Sequence, residues 1–289
     1  IYGKGSQMIT EVQKVRNDKH ILLKTKLIEK KNVAFLNDMA VKLSNKSKKF
    51  LKKYKIVFKQ DKKSKENLIK PKNIQTKKLF FNSEEEKQLN TLTQLLEENK
   101  FQETRKRLKE KKLPKGVNMV FYGPPGTGKT ESVFQIAKAS NREIIKVDIS
   151  ASKSMWFGES EKITKKIFTD YKEIAKSCKR KPILFMNEAD ALISKRSEHS
   201  NGAVDKTENT IQNIFLEELE NFNGILIATT NLVANMDSAF ERRFLFKVEI
   251  NKPNASIKAH IWKEKLPDLD PNEARILAEA FDFSGGQIE

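Results

Sequence analysis

The sequence has a single cysteine in 289 residues, Cys178. No disulfide can close within the chain, and a reducing compartment, the cytoplasm, is the expected setting. Its three histidines, His20, His199 and His260, are too scattered for a transition-metal cluster. No apolar run comes near the ~18 residues that a membrane span needs, and no signal-peptide pattern opens the chain. Arginine is scarce too: of 56 basic residues, 47 are Lys and nine are Arg. Proteins that read base sequence favour Arg for its bidentate geometry, so this bias points to solvated lysine faces more than to base readout. An initial Met is missing, and the chain stops in mid-pattern at Gln287-Ile288-Glu289, as a piece of a longer protein would.

Negative charge is thin in one half. Residues 1–115 hold 32 Lys and Arg against 13 Asp and Glu, residues 116–289 hold 24 against 25, and the whole carries +18. A basic front half is compatible with a nucleic-acid or other acidic partner, the competing reading being compositional bias.

Residues 10–58 read as helical: Val12, Val15, Leu22, Leu23, Leu27 and Ile28, then Phe35, Leu36, Met39, Ala40 and Leu43, recur at spacings of three and four. Gln60 to Lys78, with Pro71 and little apolar content, reads as a linker. Ser83 with Glu86 has the spacing of a capping box, opening a helix that carries Leu89, Leu92, Leu95 and Leu96, and a second helix is expected from Phe101 through Leu108. From Val117 onward the pattern alternates. Strands are expected at 117–122, 144–149, 183–187, 225–230 and 245–250, with helices between most of them, notably 159–177 and 207–222. Short apolar strands alternating with helices predict an α/β fold, a parallel sheet covered on both faces.

The most informative stretch is Gly123-Pro124-Pro125-Gly126-Thr127-Gly128-Lys129-Thr130. It follows the strand at Val117–Tyr122 and leads into a helix opened by Glu131, the context in which G-x-x-x-x-G-K-T acts as a P-loop. Successive backbone N–H groups make a concave anion site, reinforced by the positive end of the next helix. Lys129 would reach the β- and γ-phosphates and the Thr130 hydroxyl would ligate Mg²⁺. The chain is therefore expected to bind ATP with Mg²⁺ through these eight residues and Glu131.

Three further elements bear on that site. In Ile183-Leu184-Phe185-Met186-Asn187-Glu188-Ala189-Asp190 a buried strand ends in acidic residues. Glu188 is the candidate general base for the attacking water. Asn187 stands where a metal-supporting Asp is usual; it can accept a hydrogen bond from Mg²⁺-bound water but brings no negative charge. Asp190 reads as an ordinary carboxylate at a helix start. Ile225-Leu226-Ile227-Ala228-Thr229-Thr230-Asn231 ends in two hydroxyls and an amide, and Asn231 could orient the lytic water, touch the γ-phosphate or simply form a turn. In Phe240-Glu241-Arg242-Arg243-Phe244 the adjacent arginines are either a solvated pair or fingers that complete a neighbouring subunit's site.

From about Leu79 to Glu289 the chain resembles the AAA+ ATPases, and within them the spastin, katanin and FtsH type. The residues that carry the resemblance are GPPGTGKT, NEAD, ATTN and ERRF, in that order, with Phe283-Ser284-Gly285-Gly286-Gln287-Ile288 similar to the sensor-2 stretch of the helical lid. The resemblance implies a P-loop NTPase fold with a five-stranded sheet over 79–250, a small and incomplete helical lid over 251–289, and a separate basic, mostly helical region over 1–78. It also implies a homo-oligomeric ring, usually hexameric, with ATP at the subunit junction. Arg242 and Arg243 would then serve the neighbour's nucleotide, and Gly285 and Gly286 would line the adenine side. Lys153-Ser154-Met155-Trp156-Phe157-Gly158-Glu159-Ser160-Glu161 resembles the pore loop of protein-threading machines, in which Trp156 and Phe157 would grip a polypeptide and Gly158 would let the loop bend. The expected function is an ATPase that remodels or threads a protein substrate. Two alternatives stand beside it: a nucleic-acid-directed ATPase using the basic front region, and a slow ATP-binding switch blunted by Asn187.

Overall fold

The structure, a computed structural model, describes residues 13–15, 17–31, 40–44, 46–47, 50–51, 68–149, 153–194, 203–231 and 236–288. Residues 1–62 and 63–289 form two compact units. In the first, helix α1 (Ile21–Lys24) is capped by His20, whose Nδ1 accepts from the Leu22 amide at 3.1 Å. Two antiparallel strands follow, β1 (Ile28–Lys31) and β2 (Ala40–Leu43), in a register that pairs Ile28 with Leu43. The expectation of helix throughout residues 10–58 is therefore corrected. Lys26 takes a left-handed φ of +56°, which ends the helical path just before β1. Beyond that break the β-branched Ile28 and Val41 favour extended backbone, and cross-strand pairing satisfies peptide groups that an interrupted helix would leave open.

The second unit is built on a six-stranded sheet of order β3-β5-β6-β7-β4-β8. Its strands are β3 (Leu68–Ile69), β4 (Val117–Tyr122), β5 (Ile144–Asp148), β6 (Ile183–Asn187), β7 (Ile225–Thr230) and β8 (Phe246–Glu249). All neighbours run parallel except the edge pair, where Leu68 and Ile69 lie antiparallel to Ile145 and Ile144. The five parallel strands fall where the alternating pattern puts them. The sixth was hidden in the presumed linker, because two apolar residues among lysines carry no periodicity and become a strand only by pairing with a distant edge.

Continuous apolar strands reflect burial on both faces. On one face Leu184, Met186, Leu226 and Ala228 pack with Phe168, Phe215 and Leu219, which come from helices α5 (Lys153–Ala175) and α7 (Ala203–Asn221). On the other, Met119, Phe121, Phe185 and Ile227 pack with Leu89, Leu92, Phe101, Val133 and Ile136. Those residues come from α2 (Ser83–Leu95), α3 (Glu98–Glu110) and α4 (Lys129–Ala139). Short helices α6 (Asp190–Ile193) and α8 (Ser238–Glu241) close the first face.

The capping box of α2 sits one residue earlier than the spacing predicts. Asn82 is the N-cap and Glu85 reaches back, its Oε2 accepting from the Asn82 amide at 2.9 Å. The shift has a tertiary cause. Glu85 Oε1 accepts from the Asn251 amide (3.1 Å) and Asn82 Oδ1 from the Asn254 amide (3.0 Å), so one cap also anchors the start of the helical lid. The lid comprises α9 (Ala255–Lys265), α10 (Pro271–Ala280) and α11 (Gly285–Ile288). Among the described residues no helix is long and apolar enough to cross a membrane.

Candidate active site

The parallel strands all end on one edge, where ligands bind in sheets of this class. A cavity of about 580 Å³ opens there, between the P-loop, the ends of β6 and β7, the lid and residues 77–81. The P-loop turns from β4 into α4 through backbone that side chains resist. Gly128, the N-cap of α4, has φ +92°. Gly126 has φ +75°, and a Cβ there would meet Ser284 Oγ of the lid at 2.5 Å. The lid seals this contact, the Gly286 amide donating to Gly126 O at 2.8 Å.

Lys129 is buried, and its ammonium folds back to donate to Gly123 O (2.8 Å) and Pro124 O (2.6 Å). Burial lowers its pKa to about 8, opposed by the field of Asp190. The loop thus holds its cation against carbonyl oxygens, in place of which phosphate oxygens would be stronger partners. Thr130 Oγ1 donates to Asn187 Oδ1 at 3.0 Å, and Thr229 Oγ1 donates to the same oxygen at 3.2 Å. One carboxamide therefore ties the P-loop helix to the ends of β6 and β7.

Glu188 faces the cavity from a left-handed backbone, φ +52°, a conformation that costs of order 1–3 kcal/mol outside glycine. Thr229 supports it twice: Oγ1 accepts from the Glu188 amide (3.3 Å) and the Thr229 carbonyl from the Ala189 amide (2.8 Å). Asn231 lines the same cavity. Its placement depends on Asp190, whose Oδ1 accepts from the Asn231 amide (3.0 Å) and from Thr230 Oγ1. Asp190 does open helix α6, but its carboxylate bridges the ends of β6 and β7, and no local pattern shows that reach. Thr229 was likewise missed, its role being visible only once β6 and β7 are neighbours.

The remaining cavity residues divide by polarity. Glu131 lies in the wall, paired with Lys77 at 3.7 Å and accepting from Gln135 Nε2 at 2.7 Å. Gly285 and Gly286 line the end where Phe80, Phe81 and Ile261 supply apolar surface. Lys77 and Lys78, the end of the stretch that reads as a linker, form a wall of the site together with residues 79–81. The Thr130 hydroxyl and the Asn187 carboxamide oxygen are hard oxygen donors of the kind Mg²⁺ takes beside substrate phosphates. Among the described residues no cluster of three or more His, Cys, Asp or Glu could hold a metal by itself.

Residues 119–253 match the ATPase family associated with various cellular activities (AAA). This segment is similar to the AAA ATPases. Cell division protein C of Sulfolobus acidocaldarius is 34% identical over 183 residues, which is 59% of this chain and 47% of that protein. Proteasome-activating nucleotidase of Methanococcus maripaludis is 33% identical over 177 residues, 57% of this chain and 42% of that one. Fidgetin-like protein 1 of Drosophila melanogaster is 29% identical over 187 residues, 61% and 34% respectively. The chain spans less than half the length of these curated relatives.

The adjacent arginines Arg242 and Arg243 lie outside the cavity. β8 runs beside β4, the Leu245 amide donating to Asn118 O and the Ile250 amide to Tyr122 O, both at 2.8 Å. Arg242 and Arg243 precede β8 and so sit by the amino end of β4, whereas the P-loop leaves its carboxyl end. Four residue steps separate Asn118 from Tyr122, about 13 Å at ~3.3 Å each. The expected pore residues fall in a helix. Helix α5 begins at Lys153, so Trp156, Phe157 and Gly158 fall in its first turns instead of in a loop before residue 159. Their side chains lie outside the described residues.

Proposed function

We propose that this chain is a ring-forming ATPase subunit that couples Mg²⁺-dependent ATP hydrolysis to remodelling of a protein substrate. The observation that carries the proposal is the convergence of Lys129, Thr130, Glu188 and Asn231 on one cavity, with Asn187 hydrogen-bonded to Thr130 and the arginine pair at the opposite edge of the same sheet.

In this reading the triphosphate takes the place of the Gly123 and Pro124 carbonyls as partner of Lys129, and the α4 amino end faces its charge. Phe80, Phe81, Ile261, Gly285 and Gly286 receive the base. Thr130 would hold Mg²⁺ directly and Asn187 through a bound water; when present, the ion neutralises charge on the β- and γ-oxygens. Glu188 takes the proton of the attacking water, and Asn231, steadied by Asp190, orients that water against the γ-phosphate. The height of the sheet puts Arg242 and Arg243 out of reach of their own nucleotide, so a neighbouring copy in a ring, hexameric by resemblance to the family, is the one they serve. Protein as substrate is supported by similarity to proteasome-activating nucleotidase, whose name states a protein partner, and by the aromatic step at Trp156 and Phe157. The proposed setting is the cytoplasm, where the half-buried thiol of Cys178 stays reduced.

A second reading is favoured by Asn187: a neutral carboxamide beside Thr130 weakens the hold on Mg²⁺ and makes the subunit a slow ATP-dependent switch. Steady-state phosphate release by the full-length protein separates the two, with unfolded protein or DNA added in parallel. A remodelling ATPase is stimulated by protein more than by DNA, and Glu188→Gln abolishes its turnover while ATP stays bound. Release near background with ATP tightly held selects the switch. Equal turnover in wild type and Glu188→Gln refutes the assignment of Glu188.

A further inference from the structure

The two adjacent arginines are not equivalent in the folded chain. Arg243 is turned inward: Nη1 donates to Ala239 O at 2.8 Å, Nη2 donates to Glu220 Oε1, and Nε is buried without a hydrogen-bond partner. Its own carbonyl accepts from Asn118 Nδ2 at 3.3 Å, and the same amide group approaches Leu219 O at 3.4 Å. Arg243 is therefore bound to the last turn of α7 and to the base of β4. Arg242 is exposed, its described contact being a long bond from Nε to Ser238 O at 3.4 Å, and among the described residues it makes no ion pair within 4 Å. Among the described residues its terminal guanidinium nitrogens have no hydrogen-bond partner.

We infer that only Arg242 acts on the nucleotide of a neighbouring copy, and that Arg243 with Glu220 is a brace within the chain that positions Arg242. This inference rests on the ring reading above and divides a role that the sequence assigns to both residues. The physical ground is competition. To reach a phosphate in another subunit, Arg243 would have to give up a charge-assisted pair and a carbonyl bond in a half-buried setting, whereas Arg242 gives up almost nothing. The brace also has a mechanical address. Glu220 is the penultimate residue of α7, and the chain passes from there through Phe222 into β7, the strand that ends beside Asn231. A pull on Arg242 by a neighbour's γ-phosphate is thereby referred to the strand that presents this subunit's own Asn231.

The test is a double-mutant cycle in the full-length protein, reading turnover, ATP affinity and thermal midpoint. Arg242→Ala should lose turnover about 1,000-fold, the scale of a missing arginine finger, with thermal midpoint and ATP affinity unchanged. Glu220→Ala and Arg243→Ala should each lower turnover by about 10- to 100-fold, as displaced catalytic groups do, and each should lower the midpoint. The double variant should be no worse than either single one. Wild-type turnover in Glu220→Ala, with Arg243→Ala as inactive as Arg242→Ala, would overturn the brace and restore two fingers. Should Arg242→Ala keep full turnover, the trans site itself is wrong; the thermal midpoints of the Glu220 and Arg243 variants still report whether the pair is coupled. If alanine at 243 prevents folding, Arg243→Lys and Glu220→Gln provide the same cycle in milder form.

Discussion

Affinity for ATP should fall as the pH rises above about 8, and the cause is Lys129. In the loop its ammonium is buried against two carbonyls, and burial brings its pKa down to about 8 with only Asp190 acting against the shift. Phosphate oxygens hold the charged form, so binding above that pH requires proton uptake. Each pH unit beyond about 8 should weaken binding close to tenfold. At pH 9.5 the loss is about 30-fold relative to neutral pH, until the pKa of the complex is reached. The triphosphate is fully ionised over this window and contributes no slope of its own. The assay is equilibrium ATP binding from pH 7.5 to 9.5 at fixed ionic strength, in the Glu188→Gln background so that nothing is hydrolysed. Lys129→Arg keeps its charge throughout and should bind with a flat profile, whatever its absolute affinity. A wild-type profile equally flat to pH 9.5 refutes the reasoning. The same group sets a stability trend in the empty protein. Between about 8 and its ordinary value of 10.5 the unfolded chain binds more protons at Lys129 than the folded one. Its contribution to stability therefore rises with pH across that window.

Asp190→Asn should shift the midpoint of that ATP-binding profile to lower pH, because the field that supports the Lys129 charge is gone. It should also reduce turnover about tenfold or more, since the Asn231 amide loses a charged acceptor; binding profiles and phosphate release read the two effects separately. Asn187→Asp should tighten the Mg²⁺ dependence of turnover and raise its maximum, measured by titrating the metal at saturating ATP, and an unchanged curve would mean that the carboxamide serves as well as a carboxylate. Arg142→Ala should destabilise the second unit by about 3–5 kcal/mol in thermal or denaturant unfolding, the combined cost of a cavity and of two carbonyls left without their donor. Its guanidinium is fully buried and donates to Leu96 O (2.9 Å), Lys181 O (2.9 Å) and Glu98 Oε2 (2.8 Å), 4.5 Å from the Phe101 ring centroid.

What could be read from the chain as a string was whatever local chemistry dictates. The five parallel strands were legible because burial on both faces leaves unbroken apolar runs bounded by polar turns. The P-loop was legible because anion binding by backbone amides needs glycines, a lysine and a threonine at set spacing, whatever surrounds them. Asn187, Glu188 and Asn231 followed because they end strands whose polarity delivers them to one edge. The reading failed where structure depends on distant partners. Helical spacing in residues 10–58 gave way to the pairing of Ile28 with Leu43, since amphipathic periodicity over a few residues cannot register a strand partner elsewhere. Leu68 and Ile69 had no pattern to show until β5 offered its edge. The α2 cap moved to Asn82 because that residue also holds Asn254.

The sequence by itself determined which chemical groups this protein carries: a glycine-rich loop with its lysine and threonine, a strand-end carboxylate, a strand-end amide and a pair of arginines. Tertiary structure alone decided which of these groups meet and how each is held. It carried the Asp190 carboxylate across from β6 to β7, set Thr229 beneath a left-handed Glu188, folded residues 77–81 into the cavity wall, and pinned Arg243 to Glu220 while leaving Arg242 to solvent. The physical reason is range. Backbone geometry and motif spacing act over a handful of residues, whereas hydrogen bonds and ion pairs join whatever packing brings within about 3 Å, regardless of separation along the chain.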